Sequence, residues 1–356
     1  MCRNEPADAG HDDNGTRRTD IGILARVIPG ENRTMTPPFD ATSTIDEVLS
    51  GVDLTGRRFL VTGTSAGIGL ETARALVAHG ALVVGAVRDL AKARAVGVAI
   101  DKSARKGGGR LDLVELNLNA LGSVRACADA LLADGRAFDF VITNAAVMMT
   151  PPGRTADGFE TQFGVNHLGH FALVNAILPL LNDGARVLVS SSLGHRVSDV
   201  DLDDPNFERQ AYDPLVAYAR SKTANALFAV ELDRRQRARG VRSASVMPGN
   251  SSTELARHVP KEALAQLMTD FTRGRSDAGL PPPTRKTPAQ AAATSIWAAV
   301  IADADEIGGR YLEDCAVAVV DDSPSPFRQG VRSYALDPAS AARLWDQSEE
   351  LIAAAR

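Results

Sequence analysis

The chain has 356 residues, 44% hydrophobic and 23% charged, and its 39 Lys and Arg against 44 Asp and Glu leave a formal net charge of −5. That composition suits a soluble globular protein and argues against wholesale disorder. Mild acidity offers no general attraction to nucleic acid or anionic lipid. The longest apolar stretch, residues 171–181, is too short for a spanning helix, which needs about 20 residues. Cys2, Cys127 and Cys315 have neither disulfide-framework nor metal-ligand spacing, which points to a reducing compartment such as the cytoplasm.

Residues 1–34 are polar and without periodicity, and read as a disordered leader. Arg17-Arg18 suggests a twin-arginine export signal, but the apolar run 21–24 stops at Ala25-Arg26 and no long apolar region follows. The abrupt change of composition makes Met35 an alternative start, with 35–54 as a lead-in.

From Gly56 onward strand and helix patterns alternate. Strands are expected at 57–62, 82–87, 111–116, 138–143, 186–191 and 241–246, with helices at 68–79, from Asp89, and at 121–133, 159–181 and 217–239. Runs of Val, Leu and Ile without polar alternation suit a parallel sheet buried on both faces. The rhythm predicts right-handed βαβ units in one doubly wound, Rossmann-type α/β domain over 55–320, with a helical extension within 321–356. Ligands of such sheets bind outside the carboxyl ends of the strands.

The first of those ends carries Thr62-Gly63-Thr64-Ser65-Ala66-Gly67-Ile68-Gly69. Glycines allow a tight turn and close backbone approach, and the helix that follows offers free N–H groups and a positive dipole end to a pyrophosphate. At the second end, Val87 stands where an NAD site places an acidic residue, and Arg88 follows it. This favours NADP(H) over NAD(H). Asp89 tempers that reading unless it caps the next helix.

Tyr218 and Lys222 stand four apart on a predicted helix, so phenol and ammonium share a face. An ammonium beside a phenol favours the phenolate, and the pair could exchange a proton with an alcohol. Ser190-Ser191-Ser192 closes the fifth strand, Asn144 follows the fourth, and Asn166 lies within an apolar helix where it needs hydrogen bonds.

Together TGTSAGIG, TNAAV, GVNHLGHF, VSSSLGHR, YARSK and MPGNSST resemble the short-chain dehydrogenase/reductase family, in particular its branch of retinol dehydrogenases and WW-domain-containing oxidoreductases. The resemblance spans about 52–315. It implies a dinucleotide held at Gly63, Ser65, Gly67, Ile68 and Gly69, with Arg88, Asn117, Leu118 and Asn144 contributing. It implies Tyr218 as general acid/base, Lys222 on the nicotinamide ribose, Ser192 orienting substrate and Asn166 supporting a water-linked proton relay. Pro248, Gly249 and Thr253 match the segment that contacts the nicotinamide carboxamide. Ser190 and Ser191 stay open as alternatives to Ser192.

The chain departs from the family pattern in places. Ala146 replaces a glycine, Asn117 replaces an adenine-contacting Asp, and Met247 replaces a His common in the near branch. His167, His170 and His195 lack carboxylate or Cys partners at ligand spacing, so no metal is expected, and His195 is a candidate for the substrate mouth. Met148-Met149 reads as packing or as an apolar wall. Residues 251–283 would form a lid, with Leu255, Leu264, Leu267, Met268 and Phe271 available to a bulky apolar substrate. The expected activity is interconversion of an alcohol and an aldehyde or ketone. Association into a homo-oligomer through the 217–239 helix is a family habit. An epimerase or dehydratase using the same Tyr/Lys pair, and a dinucleotide sensor without turnover, are the rival readings.

Overall fold

The computed structural model describes Met1 and residues 39–251, 254–326 and 328–355, with backbone alone at 99, 101–107, 254 and 258. The leader, the Met35 alternative and Thr253 lie outside the described residues.

Arg58–Thr62 (β1), Leu82–Val87 (β2), Arg110–Glu115 (β3), Phe138–Thr143 (β4), Leu181–Ser190 (β5), Arg242–Met247 (β6) and Tyr311–Glu313 (β7) run parallel, and Ala316–Val317 (β8) turns back antiparallel on β7. Their order is β3-β2-β1-β4-β5-β6-β7-β8. The chain winds outward one way from β1 to β3 and the other way from β4 to β7. The switch point therefore lies between β1 and β4, the place where doubly wound sheets open a crevice. β1 and β6 are buried along their whole length because helices cover both faces.

Ile45–Val48 (α1), Gly67–Ala78 (α2) and Pro288–Ile296 (α9) pack together over one face, around Leu76, Ile142 and Ile296. On the other, Leu121–Asp134 (α4), Gly169–Ala176 (α6) and Pro214–Gln236 (α7) close over Val141, Val187 and Phe228. Leu90–Gly107 (α3), Thr161–Phe163 (α5), Lys261–Asp277 (α8) and Ala304–Ile307 (α10) complete the connections, and Pro338–Ala354 (α11) packs along α7. Among the described residues no helix is long and apolar enough to cross a membrane.

Two expectations are corrected. The single helix over 159–181 is instead α5, a π turn at Gly164–Leu168, α6 and a short turn at Leu178–Leu180. Pro179 has no N–H to continue the helix. β5 starts at Leu181 rather than at 186, because Leu181 pairs with Phe138 across a register irregularity that the polar Asn182-Asp183-Gly184 conceals in the sequence.

Residues 39–54 and the segment after 320 join the same body. Phe39–Arg356 form one compact unit, with Ile45 and Val48 of α1 and Leu344 and Trp345 of α11 all buried. α11 packs against the helix that the family habit would offer to a second copy.

Candidate active site

The turn after β1 is built to leave backbone groups open. α2 begins at Gly67 behind Ala66, whose side chain caps nothing, so the first N–H groups of the helix have no side-chain partner. Gly63 adopts φ +79°, and a Cβ on Gly69 would stand 2.3 Å from Gly63 O and 2.5 Å from Asn144 Nδ2. Asn144 donates to Thr62 O at 3.0 Å, and Ala145 N–H donates to Thr62 Oγ1 at 3.0 Å. Asn144 thus ties the ends of β1 and β4 together across the switch point, and its amide serves the turn.

At the end of β2, Val87 is buried and Arg88 exposed. Asp89 Oδ1 accepts from Lys92 N–H at 2.9 Å, so Asp89 caps α3. Arg88 has no hydrogen-bond or ion-pair partner among the described residues. Asn117 Oδ1 accepts from Asn119 N–H in a tight local turn, and Leu118 is buried with its carbonyl against Gly169.

The catalytic candidates converge at the ends of β4, β5 and β6. Asp213 caps α7 by accepting from Leu215 N and Val216 N, and Pro214 opens it. Tyr218 and Lys222 follow on its inner face, both buried. Lys222 Nζ donates to Ser190 O at 3.1 Å. Burial pushes the Lys222 ammonium down to about 7 and the Tyr218 phenol up to about 12, while the nearby Ser192 hydroxyl pulls the phenol the other way. Ser191 Oγ donates to Lys222 O at 2.8 Å and is consumed in that contact. Ser192 Oγ and the Tyr218 ring both border Gly194, where an added Cβ would stand 3.4 Å from the one and 2.9 Å from the other.

Asn166 lies in the π turn, a helix irregularity often found at functional sites. Its side chain accepts from Val147 N–H at 2.9 Å and donates to Val147 O and Ser221 Oγ, each at 2.9 Å. Its carbonyl accepts from His170 Nδ1 at 3.0 Å, and His170 Nε2 meets Thr62 Oγ1 at 3.0 Å. A carbonyl cannot donate, so Nδ1 of His170 carries a proton. Burial and the nearby Lys222 charge push this ring down to about 4. The sequence reading weighed His170 only as a metal ligand, whereas it connects the end of β1 to Asn166.

Gly249 follows Pro248 at the end of β6 with φ +100°, and a Cβ there would stand 2.6 Å from the Lys286 side chain. Lys286 is buried against Asp314 at 2.6 Å, a contact with no sequence signal. Over α8, Leu264, Leu267, Met268 and Phe271 are half-buried and share one face. His195 does not line a substrate mouth: it is fully buried behind Ser192. Among the described residues no group of three His, Cys, Asp or Glu is placed to hold a metal. A separate cavity of about 340 Å³, lined by Arg58, Arg110 and Arg136 among others, lies toward the amino ends of the strands, away from this site.

The family profile described as enoyl-(acyl carrier protein) reductase matches residues 63–276. The short-chain dehydrogenase/reductase prx1 of Penicillium roqueforti is 36% identical over 326 residues, covering 88% of this chain and 92% of its own. The chain belongs to the short-chain dehydrogenase/reductase family. Other relatives of this oxidoreductase are retinol dehydrogenase 14 of Mus musculus, 36% identical over 83% of this chain and 86% of its own, and the human WW domain-containing oxidoreductase, 35% identical over 88% and 72%. An uncharacterized protein of Mycobacterium paratuberculosis has a solved structure that matches with TM-score 0.62 and 33% identity over 85% of this chain and 95% of its own. A short-chain dehydrogenase of Burkholderia cenocepacia, solved in complex with NADP, matches with TM-score 0.55 and 25% identity over 73% and 96%. The uncapped α2 terminus and the crowded Gly69 fit a dinucleotide of this kind.

Proposed function

We propose that this short-chain dehydrogenase/reductase interconverts an alcohol and an aldehyde or ketone with NADP(H), Tyr218 being the general acid/base. The observation that carries the reading is the gathering of Tyr218, Ser192 and Lys222 at the carboxyl ends of the sheet, with Lys222 Nζ 5.7 Å from the centre of the phenol ring and Gly194 between that ring and Ser192 Oγ. The dinucleotide, when bound, supplies or accepts the hydride. Gly63, Ser65, Gly67, Ile68 and Gly69 would hold its pyrophosphate, with Asn117, Leu118 and Asn144 shaping the adenine side and Pro248, Gly249 and Thr253 the nicotinamide side.

In the reducing direction Tyr218 donates its phenol proton to the substrate oxygen. Ser192 Oγ accepts from Gly194 N–H at 3.1 Å, which leaves its own O–H to donate to the same oxygen. Lys222 favours the phenolate left behind. Asn166, through its bonds to Val147 and Ser221, holds the loop after β4 against α7 and supports the relay that returns the proton.

The unpartnered Arg88 and the capping role of Asp89 support NADP(H), since nothing acidic is left to bond a ribose 2′-OH there. The apolar face of α8, with Met148 and Met149 beside Asn144, supports a bulky apolar substrate, and one relative is named a retinol dehydrogenase. Cys127 and Cys315 are buried free thiols, which suits a cytoplasmic placement. NADPH and NADH consumption against a panel of aldehydes and ketones tests the assignment. Turnover with NADPH and an apolar carbonyl is expected. Cofactor binding without any turnover would overturn it in favour of a sensor.

A further inference from the structure

We infer that His195 is a positioning residue that holds the Ser192 hydroxyl against Tyr218 by tying the turn after Ser192 to the C-terminal segment 330–334. The inference rests on the Ser192–Tyr218–Lys222 reading above.

His195 uses every polar atom it has. Nδ1 meets Ser192 O at 2.7 Å, and the backbone N–H of His195 donates to the same carbonyl at 3.0 Å. Nε2 accepts from Arg332 N–H at 3.2 Å. Its carbonyl accepts from Tyr334 Oη at 2.6 Å and from Thr223 Oγ1 at 3.3 Å. Ser192 O can only accept and Arg332 N–H can only donate, so these partners require a neutral ring protonated on Nδ1. The ring packs 4.7 Å from that of Tyr311 on β7. Burial, with the facing Arg196 and Arg332 charges, keeps it neutral, down to about 4.

The residue between Ser192 and His195 makes the consequence catalytic. A Cβ on Gly194 would stand 2.9 Å from the Tyr218 ring, so the turn lies flat against the phenol and any shift of it moves Ser192 and Tyr218 relative to each other. The anchor at the far end is rigid. Glu313 Oε1 accepts from Gly330 N–H at 2.7 Å, while the buried Arg196 donates to Asp321 O and Ser325 O, and Arg332 to Ser323 O and Pro324 O. A segment more than a hundred residues away in sequence thus sets the geometry at Ser192.

The test is a double-mutant cycle with Ser192, read as kcat, KM and NADPH dissociation constant. His195→Phe keeps the ring and removes both ring hydrogen bonds. It is expected to lower kcat about ten- to hundredfold, as misplacement by about an ångström does, with NADPH binding within about twofold of wild type. In a Ser192→Ala background the same change should cost kcat little, because the group it positions is gone. His195→Asn, which keeps a donor near the Nδ1 position, should recover part of the loss and serves if the Phe variant does not fold. An equal loss of kcat with and without Ser192, or no loss in the His195 variants, overturns the inference. If Ser192→Ala itself leaves kcat unchanged, the catalytic reading fails first, and the inference with it.

Discussion

Lys222 and Tyr218 lie one turn apart on α7, with the ammonium nitrogen 5.7 Å from the centre of the phenol ring. Burial disfavours the charged form of each, which drives their protonation ranges apart: down to about 7 for Lys222 and up to about 12 for Tyr218. A further positive charge at the site draws the phenol down, so the proton transfer depends on what else is bound. Tyr218→Phe removes the proton donor and keeps the ring. Turnover should fall by about a thousandfold or more, with NADPH binding retained. Near wild-type kcat in steady-state assays would refute the role of Tyr218.

Arg88 stands exposed at the end of β2 beside Asp89, which is occupied in capping α3. Arg88→Ala should weaken NADPH binding about ten- to hundredfold, the range of a lost charge-assisted hydrogen bond. NADH binding should change far less. Fluorescence titration with both cofactors decides it, and equal losses would mean that Arg88 does not read the 2′-phosphate.

Gly69 has no room for a side chain, since an added Cβ would lie 2.3 Å from Gly63 O. Gly69→Ala must therefore push the glycine turn away from α2. The expected outcome is a stability loss of about 1–3 kcal/mol and a marked loss of dinucleotide affinity. Urea unfolding and cofactor titration measure the two, and unchanged affinity would remove the turn from the binding site.

Three buried histidines resist protonation: His167 is pushed down to about 3, and His170 and His195 to about 4, chiefly by burial. Their folded values lie below the unfolded value near 6.5, so the stability they contribute is present above pH 6.5 and lost as pH falls toward 4. Glu313, raised to about 7 by burial, acts in the opposite sense, as do Glu160 and Asp199. His167→Gln isolates one ring. Its stability should fall less steeply than that of wild type between pH 6.5 and 5, by about 1–2 kcal/mol. Parallel urea-derived profiles would contradict this.

Trp345 of α11 packs edge-on to Phe171 with ring centres 4.9 Å apart, and Arg235 stacks on it at 4.4 Å. Trp345→Ala should cost about 3–5 kcal/mol. A loss below about 1 kcal/mol, by thermal or urea unfolding, would mean that the C-terminal helix is dispensable to the fold.

Much of the fold was legible because its signals are local. The range of β2 follows from an unbroken apolar run, that of β4 from an apolar run interrupted by Asp139, and α4 from its period. β5 was read short because Asn182-Asp183-Gly184 is polar, and its pairing with β4 is decided by a neighbour rather than by its own composition. The π turn at Gly164–Leu168 has no signature in spacing, since all five of its residues are buried and present no one-sided apolar stripe whose shift would mark the extra residue.

The candidate site divides in the same way. Tyr218 and Lys222 are four apart on one helix, so their partnership is contained in the sequence. What Ser190, Ser191 and Ser192 each face is not, because it is decided only when α7 packs beside them and claims the Ser191 hydroxyl. The sequence places Asn144 after the fourth strand and marks Asn166 as a polar residue needing partners, but tertiary contact alone assigns their partners as Thr62, Val147 and Ser221.

The opening arithmetic of length and charge determined a globular chain with no global pull on an anionic dinucleotide, and the glycine turn, Arg88 and the Tyr/Lys spacing determined where such a ligand would be addressed. The tertiary structure decided that residues 39–54 and the segment after 320 belong to the same compact unit, and that His195 faces inward toward Arg332 rather than outward to substrate. The physical reason is that helix period and turn chemistry are set by residues close in sequence. Burial and hydrogen-bond partnership are set by whichever distant segment arrives to exclude water.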